Sequence, residues 1–226
     1  MHGRSNYVKE SGNISTHLVS FNFPDYDLHS RNKVTEKTTF GTIQEILPVL
    51  YMLKKIVVDG KIDTVDLYGF SAGGGAVVNA LAILNSDRYQ KEVGAIGITT
   101  ADRKKILHAL QRGHIILNCP LKTLSEIMAL RGRTHEFAVF ERRYKANGFT
   151  PVDALRGLDG LALKVLLHFQ KPDEILSNRD DNIFVQNLRR YNAKGKTTVV
   201  IGSDGGHVSF HKSLWKRYPS FIAEKR

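Results

Sequence analysis

The first part of the chain joins a short apolar run to a longer segment of helical spacing. Residues 17–23, HLVSFNF, are rich in β-branched and aromatic side chains and end at Pro24-Asp25, which predicts a buried strand that leads into a turn. Residues 42–57 carry apolar side chains at helical spacing, with Pro48 as a point where the helix could kink. Asp59-Gly60 follow as a stop signal, so the order is strand and then helix.

The same alternation continues along the chain. Residues 64–68, TVDLY, predict a short strand, residues 69–74 a turn and residues 75–84 an apolar helix. Further elements are predicted as strands at 93–99, 161–169 and 197–201, and as helices at 183–191 and 211–217. Strands and helices that alternate, with nearly continuous apolar strands, indicate an α/β fold with a mostly parallel sheet and helices on both faces.

The pattern changes between Asp102 and about Asp159. This stretch contains charged segments of helical spacing, one of them at 123–130, and no convincing strand. We therefore predict one domain over residues 1–226, with a helical lid or insertion at 102–159.

Composition agrees with one folded domain. The 226 residues are 42% apolar, which is enough for one sizeable core, and no internal repeat interrupts the pattern. The single cysteine, Cys119, cannot form an internal disulfide, which favours a reducing compartment and predicts a cytoplasmic protein. The amino-terminal stretch has no apolar run like that of a signal peptide, and no run of eighteen apolar residues could span a bilayer.

The net charge of +11 raises the question of an anionic partner. Lys and Arg are dispersed in short groups, mostly on segments predicted to be exposed helix faces, which favours a solvated basic surface. A nucleic acid or an anionic membrane is the less favoured interpretation, and the sequence does not indicate an oligomeric state. The basic groups are Lys54-Lys55, Arg103 to Lys105, Arg131 to Arg133, Arg142-Arg143, Arg189-Arg190 and Lys216-Arg217.

One glycine-rich turn carries a candidate nucleophile. Gly69 to Gly73, GFSAG, matches G-x-S-x-G between a predicted strand and a predicted helix, where a strained turn would expose the hydroxyl of Ser71. A Cβ atom at either glycine is expected to collide with the neighbouring strand or helix. The positive end of the following helix would favour an oxyanion at Ser71. The alternatives are a tightly packed βα turn or a phosphate loop, although GFSAGGG matches neither phosphate-binding pattern.

A serine nucleophile needs a base, and His207 is the best placed of the nine histidines. It lies in SDGGH, residues 203–207, just beyond the last predicted strand, where paired glycines let an imidazole approach the carboxyl edge of the sheet. His211 is a weaker alternative because it is predicted to be helical, and His168 falls inside a strand.

The carboxylate that would orient this histidine is predicted to be Asp173. It follows a predicted strand in QKPDEI, residues 170–175, so it could reach the far nitrogen of the imidazole. A Pro-Asp turn or helix cap is the structural alternative. Glu174 and Asp102 are competing acids, whereas Asp204 is too near the histidine in the chain.

The order Ser71, Asp173, His207, each just past a strand, resembles the α/β-hydrolase family over essentially the whole chain. By this resemblance GFSAGG is the nucleophile elbow, KPDEIL is similar to the loop that bears the family's acid, and DGGH to the loop that bears its histidine. The insertion at 102–159 occupies the place of the family's lid.

The resemblance also implies an oxyanion hole. His2-Gly3 is similar to a family motif that follows the third strand, so the amide of Arg4 or Ser5 would join that of Ala72. A motif that belongs after a third strand here begins at residue 2, which implies a fold truncated at its amino end. We expect an upstream segment with a strongly apolar strand, a broken gene or a re-paired sheet.

The function expected from these residues is that of a serine hydrolase. It would cleave an ester, thioester or amide through an acyl-enzyme on Ser71, with a small-molecule or acyl substrate and no cofactor or metal. The alternative is a non-catalytic remnant of the fold, or a basic binding module for an anionic partner.

Overall fold

The computed structural model describes residues 42–123, 142, 150–176, 178, 181–203, 205–207, 209 and 211–223. The strand predicted at 17–23 and nearly all of the helix predicted at 123–130 lie outside these residues. The strands are β1 Leu67–Phe70, β2 Ile115–Asn118, β3 Lys164–Gln170 and β4 Lys196–Gly202. The α-helices are α1 Ile43–Leu53, α2 Ala72–Leu84, α3 Gln90–Ala95, α4 Thr100–Arg112, α5 Pro151–Ala154, α6 Asp181–Tyr191 and α7 Lys212–Ala223, and a π-helical segment Lys54–Asp59 and a 3-10 turn Leu155–Leu158 extend α1 and α5.

The four strands form one sheet in the order β1-β2-β3-β4, and every neighbouring pair is parallel. Ile115 in β2 pairs with Leu67 on one side and with Val165 on the other. Helices connect the consecutive strands, as parallel pairing requires. The predicted α/β architecture with a mostly parallel sheet is confirmed.

Side chains that alternate along the central strands supply two separate cores. In β3, Val165 and Leu167 point into the larger core, which also takes residues from α1, α2, α4 and α6. Leu166 lies between them on the opposite face, where it packs with Leu214 and Trp215 of α7. Because both faces are covered by helices, the strand is apolar at successive positions, which is the pattern that the sequence showed.

The prediction of a strand at residues 93–99 is wrong. Gln90–Ala95 form α3, which buries Val93, and the chain then turns at Gly97, whose φ is +75°. A short apolar run with β-branched residues does not distinguish a strand from a buried turn of helix. Glycine at 97 provides the left-handed conformation that ends this segment.

The prediction that residues 102–159 lack a strand is also wrong. Residues 115–118, IILN, form the fully buried strand β2, which pairs with β1 and β3. Only three consecutive apolar residues, Ile115 to Leu117, lie between a highly charged helix and Pro120, so the apolar run is too short to be distinguished from its surroundings. Most of the predicted insertion after this strand falls outside the described residues, and a lid there stays a prediction.

No helix among the described residues is long and apolar enough to cross a bilayer.

A buried ion pair joins the segment after β2 to the start of α6. Lys122 Nζ lies 2.7 Å from Asp181 Oδ1, and the two side chains are 2% and 4% exposed. The ammonium also lies 5.1 Å from the centre of the Phe169 ring. Asp181 Oδ2 accepts a hydrogen bond from the Asn178 amide. The two buried charges therefore form an ion pair near the end of β3, where the loop that contains Asp173 begins.

Replacing Lys122 with methionine is expected to lower the free energy of unfolding by about 3–5 kcal/mol, because the carboxylate of Asp181 would stay buried without its main partner. Urea denaturation followed by circular dichroism measures the change. Arg112→Met is the matched control, since it breaks an exposed pair with Asp63 and should cost less than about 1 kcal/mol. Equal losses of unfolding free energy in the two variants would contradict a larger contribution from the buried pair than from the exposed pair.

Candidate active site

Ser71 occupies a sharp turn between β1 and α2. Its φ of 52° and ψ of −121° place it in a region that residues with side chains rarely adopt. The surrounding backbone holds this conformation: the Ser71 N–H donates to the Asn118 carbonyl at 3.0 Å, and its own carbonyl accepts from Leu121 at 2.8 Å and Gly74 at 3.0 Å. The strained backbone is the geometry that a nucleophile elbow requires.

The glycines around Ser71 allow close packing at two positions. A Cβ atom on Gly69 would lie 2.6 Å from the Gly73 carbonyl oxygen, and one on Gly74 would lie 2.7 Å from Cβ of Pro120. The expected collision is therefore confirmed at Gly69. It is wrong at Gly73, where nothing lies within 4 Å of the added atom, because the next residue makes the close approach to the neighbouring strand's end.

Asp173 and His207 form a buried pair at the carboxyl edge of the sheet. His207 Nδ1 lies 2.7 Å from Asp173 Oδ2, and the side chains are 2% and 3% exposed. Asp173 follows β3 and His207 follows β4, so the parallel register of these neighbouring strands brings the two loops together. The other carboxylate oxygen, Oδ1, accepts the N–H groups of Ile175 at 2.9 Å and Leu176 at 2.6 Å. The carboxylate is thus fixed before it meets the imidazole.

These contacts set the charge of Asp173. Burial alone would raise the pKa of this carboxyl, but the hydrogen bond with His207 and the two backbone N–H groups outweigh it, so the pKa lies below its usual value. Asp173 is therefore ionised at neutral pH and can hold a proton on His207 Nδ1.

The lowered pKa of Asp173 makes part of the stability dependent on pH. A carboxyl whose pKa falls on folding stabilises the protein above about pH 4, and this contribution is lost as the pH falls through the folded-state pKa. The free energy of unfolding should therefore decrease less steeply below about pH 4 in Asp173→Asn than in the wild type. Urea denaturation at a series of pH values measures the slopes. Asp159→Asn, which removes an exposed carboxylate, should keep the wild-type slope.

The imidazole of His207 lies beside the elbow. Its ring centre is 5.0 Å from that of Phe70, the residue before Ser71. The Nε2 atom of His207 is buried and makes no hydrogen bond with any described residue, so it is not bonded to the Ser71 hydroxyl in this structure. Such contacts are often long in free enzymes and shorten when substrate binds.

The competing candidates have other positions. Asp102 caps α4 through a reciprocal pair of hydrogen bonds with Thr99. Glu174 is not hydrogen-bonded to the imidazole, and its carboxylate oxygens instead accept the backbone N–H of His207 at 2.9 and 2.7 Å. His168 is wholly buried in β3, whereas His211 precedes α7 and contacts the histidine loop. Asp204 lies outside the described residues.

A buried polar cluster behind the pair was missed from the sequence. The Asn118 side chain contacts His168 Nδ1 at 2.9 Å, His211 Nδ1 at 3.0 Å and the Tyr68 hydroxyl at 2.9 Å. The signal available was the polar residues Asn118 and His168, which interrupt apolar strands at paired positions near their carboxyl ends. Parallel strands place such residues side by side.

The same region contains one of two groups of possible metal ligands among the described residues, the other being Cys119, Asp173 and His207. Ligand atoms of Cys119, His168 and His211 lie within 4.8 Å of one another. The Nδ1 atoms of both histidines are, however, engaged with Asn118. Burial, followed by the charge of Asp173, raises the pKa of Cys119 to about 12, so its thiol is protonated. The two histidines of this group are therefore held by hydrogen bonds.

The predicted oxyanion groups divide between described and undescribed residues. Ala72 is the first residue of α2, so its N–H has no acceptor one turn back within the helix. Arg4, Ser5 and the His2-Gly3 motif lie outside the described residues.

No family model matches the sequence, and no match is found among curated proteins. Solved structures do match. Esterase B from Lactobacillus rhamnosis is 16% identical, with 80% of this chain and 60% of the esterase covered at a TM-score of 0.55. The chain has the α/β-hydrolase fold. The carboxylesterase Cest-2923 from Lactobacillus plantarum WCFS1 is 13% identical over 79% of this chain and 64% of its own, with a TM-score of 0.53.

A lipase/esterase from Lactobacillus plantarum is also similar, with 14% identity and a TM-score of 0.53. The match covers 81% of this chain and 65% of the lipase/esterase. These matches confirm the predicted α/β-hydrolase fold. This chain spans less than two thirds of the length of each of these proteins.

Proposed function

We propose that this protein is a serine hydrolase that cleaves an ester, thioester or amide bond through an acyl-enzyme on Ser71. The observation that carries the proposal is the buried Asp173–His207 pair, 2.7 Å apart, next to a serine whose φ is 52°. A strained serine and an oriented imidazole at one sheet edge are the components that acyl transfer needs. The esterase activity of proteins with this fold adds support at the level of the reaction class.

In the first half of the reaction, Ser71 Oγ attacks the carbonyl carbon of the substrate, and its proton passes to His207 Nε2. Nδ1 keeps its proton because it faces the ionised Asp173. The bond to the leaving group then breaks, and the leaving group departs with the proton from Nε2. Water attacks the resulting ester in the second half, its proton passes to Nε2, and Ser71 leaves as the alcohol.

The negative oxygen that forms in each step needs hydrogen-bond donors. The N–H of Ala72 stands at the amino end of α2, a helix of thirteen residues, where the helix dipole favours negative charge. We propose it as one donor, with Arg4 or Ser5 as the source of the second.

A fluorophosphonate probe and short-chain p-nitrophenyl esters test this function on the purified protein. The probe should add one group per chain, and peptide mass spectrometry should place it on Ser71. Ester turnover should be lost in step with labelling. A folded sample that is neither labelled nor active would overturn the proposal, and so would labelling at a different residue.

A further inference from the structure

One peptide group of the histidine loop is held at both of its polar atoms. Between Gly206 and His207, the carbonyl oxygen lies 3.1 Å from His211 Nε2, which must donate because a carbonyl only accepts. The N–H of the same peptide group donates to the carboxylate of Glu174 at 2.9 and 2.7 Å. The Ser209 N–H also donates to this carbonyl, at 3.0 Å. Two side chains from different parts of the chain, together with this backbone N–H, therefore fix the plane from which the imidazole of His207 projects.

The His211 side chain is itself anchored, and Glu174 follows an anchored residue in the chain. Glu174 is next to Asp173, whose carboxylate is fixed by the backbone N–H groups of Ile175 and Leu176. His211 is 1% exposed, and its Nδ1 contacts the Asn118 side chain at the end of β2. The loop that carries His207 is thus tied to the acid loop on one side and to the sheet on the other.

Hydrogen-bond roles in the polar cluster agree with donation from His211 Nε2. Asn118 Oδ1 faces Nδ1 of His168 and Nδ1 of His211, and Asn118 Nδ2 faces the Tyr68 hydroxyl. In this orientation of the amide, His211 would have to donate from both ring nitrogens and would be a buried cation. The amide oxygen and nitrogen of an asparagine are assigned from such partners. With the Asn118 amide reversed, its NH₂ donates to Nδ1 of both histidines, and the Tyr68 hydroxyl donates to its oxygen. Each histidine is then neutral and donates from Nε2, His211 to the Gly206 carbonyl and His168 to the Ser213 hydroxyl.

The space around the peptide group is also filled. A Cβ atom on Gly206 would lie 2.5 Å from both carboxylate oxygens of Glu174. Gly206 is not among the glycines with positive φ, so alanine is compatible with its backbone. Alanine there would displace the carboxylate from the His207 N–H without any change to Glu174 itself.

We infer that Glu174 and His211 form a peptide clamp that positions His207 for catalysis. This inference rests on the proposed function, since it assigns the two residues to the same site. Neither side chain is hydrogen-bonded to the imidazole, whose Nδ1 meets Asp173 and whose Nε2 has no hydrogen-bond partner among the described residues, so both act through the backbone. Misplacing a catalytic group by about 1 Å can cost roughly a hundredfold in rate, and the clamp prevents such a displacement.

The kinetic test uses the full chain and two matched pairs of variants. Glu174→Ala and His211→Phe remove an acceptor and a donor, and each should lower kcat by roughly 10- to 100-fold with little change in KM. Glu174→Gln and His211→Gln keep an acceptor and a donor, and each should recover most of kcat. Thermal unfolding verifies that each variant is folded. Full kcat in folded Glu174→Ala and His211→Phe would overturn the inference.

A double-mutant cycle separates the clamp from a general structural effect. Gly206→Ala should lower kcat about as much as Glu174→Ala, and the two changes together should cost no more than one alone, because both break the same contact. Additive losses would overturn the role of Glu174. This cycle also decides the question if the His211 variants do not fold.

Amide hydrogen exchange tests the clamp independently of activity. The His207 N–H should exchange slowly in the wild type and about tenfold or more faster in Glu174→Ala and Gly206→Ala. A protected amide in a protein without turnover or labelling would remove the proposed function and leave the clamp standing. An unprotected amide in the wild type would overturn the clamp, whether or not the protein is active.

Discussion

Ser71→Ala is expected to abolish both ester turnover and fluorophosphonate labelling, with a loss in kcat of the order of 10⁶. Alanine removes the only atom that could form the acyl-enzyme. It keeps the small size that the turn before α2 requires, so the fold should persist. Initial rates with a p-nitrophenyl ester and intact-protein mass spectrometry measure the two effects.

Ser203→Ala is the matched control for Ser71→Ala. Ser203 is an exposed serine just after β4, in the loop that carries the histidine, and it makes no proposed contact with substrate. This variant should keep wild-type rates and labelling. Labelling that persists in Ser71→Ala, or that disappears in Ser203→Ala, would move the nucleophile away from the elbow.

Asp173→Asn is expected to lower kcat by about 10⁴. One oxygen of the side chain at 173 accepts the N–H groups of Ile175 and Leu176, so an asparagine amide would keep its oxygen there and turn its NH₂ toward His207. Nδ1 would then have to accept, the proton would move to Nε2, and the ring could no longer take a proton from Ser71. The loss should therefore appear in kcat, in a protein that remains folded.

Two other carboxylates control for this effect. Glu174→Gln keeps an acceptor for the His207 backbone and should cost far less than Asp173→Asn. Asp102→Asn changes the cap of α4 and should leave turnover at the wild-type level. If Glu174→Gln or Asp102→Asn proved the more damaging change, the carboxylate would be wrongly assigned, although Ser71 could still be the nucleophile.

The strands that the sequence predicted well are those whose apolar runs are long or follow a clear turn. β3 and β4 were located to within three residues, because seven-residue strands between helices of distinct spacing stand out. β2 has four residues and was hidden beside a charged helix. The prediction of a strand at 93–99 was wrong for the opposite reason. The apolar run there is clear, but its side chains belong to a short helix and a turn.

The candidate site was predictable where chemistry follows chain order. Ser71, Asp173 and His207 each follow a strand, and in a parallel sheet the ends of neighbouring strands lie at one edge. The support around them was not predictable in this way. Glu174 accepts a hydrogen bond from a backbone N–H thirty-three residues away, and His211 donates one to a carbonyl in its own loop. Neither contact produces a periodic pattern in the sequence.

Asn118 contacts Tyr68, His168 and His211 through one side chain, and the consequence concerns which substitutions natural selection can accept. A change at Asn118 removes a partner from each of the other three residues, and a change at any of those three removes a partner from Asn118, so single replacements should be rare in lineages that keep this site. The four positions should instead vary together, for example as a set of apolar residues. Their joint replacement would mark lineages in which the histidine loop is held in another way.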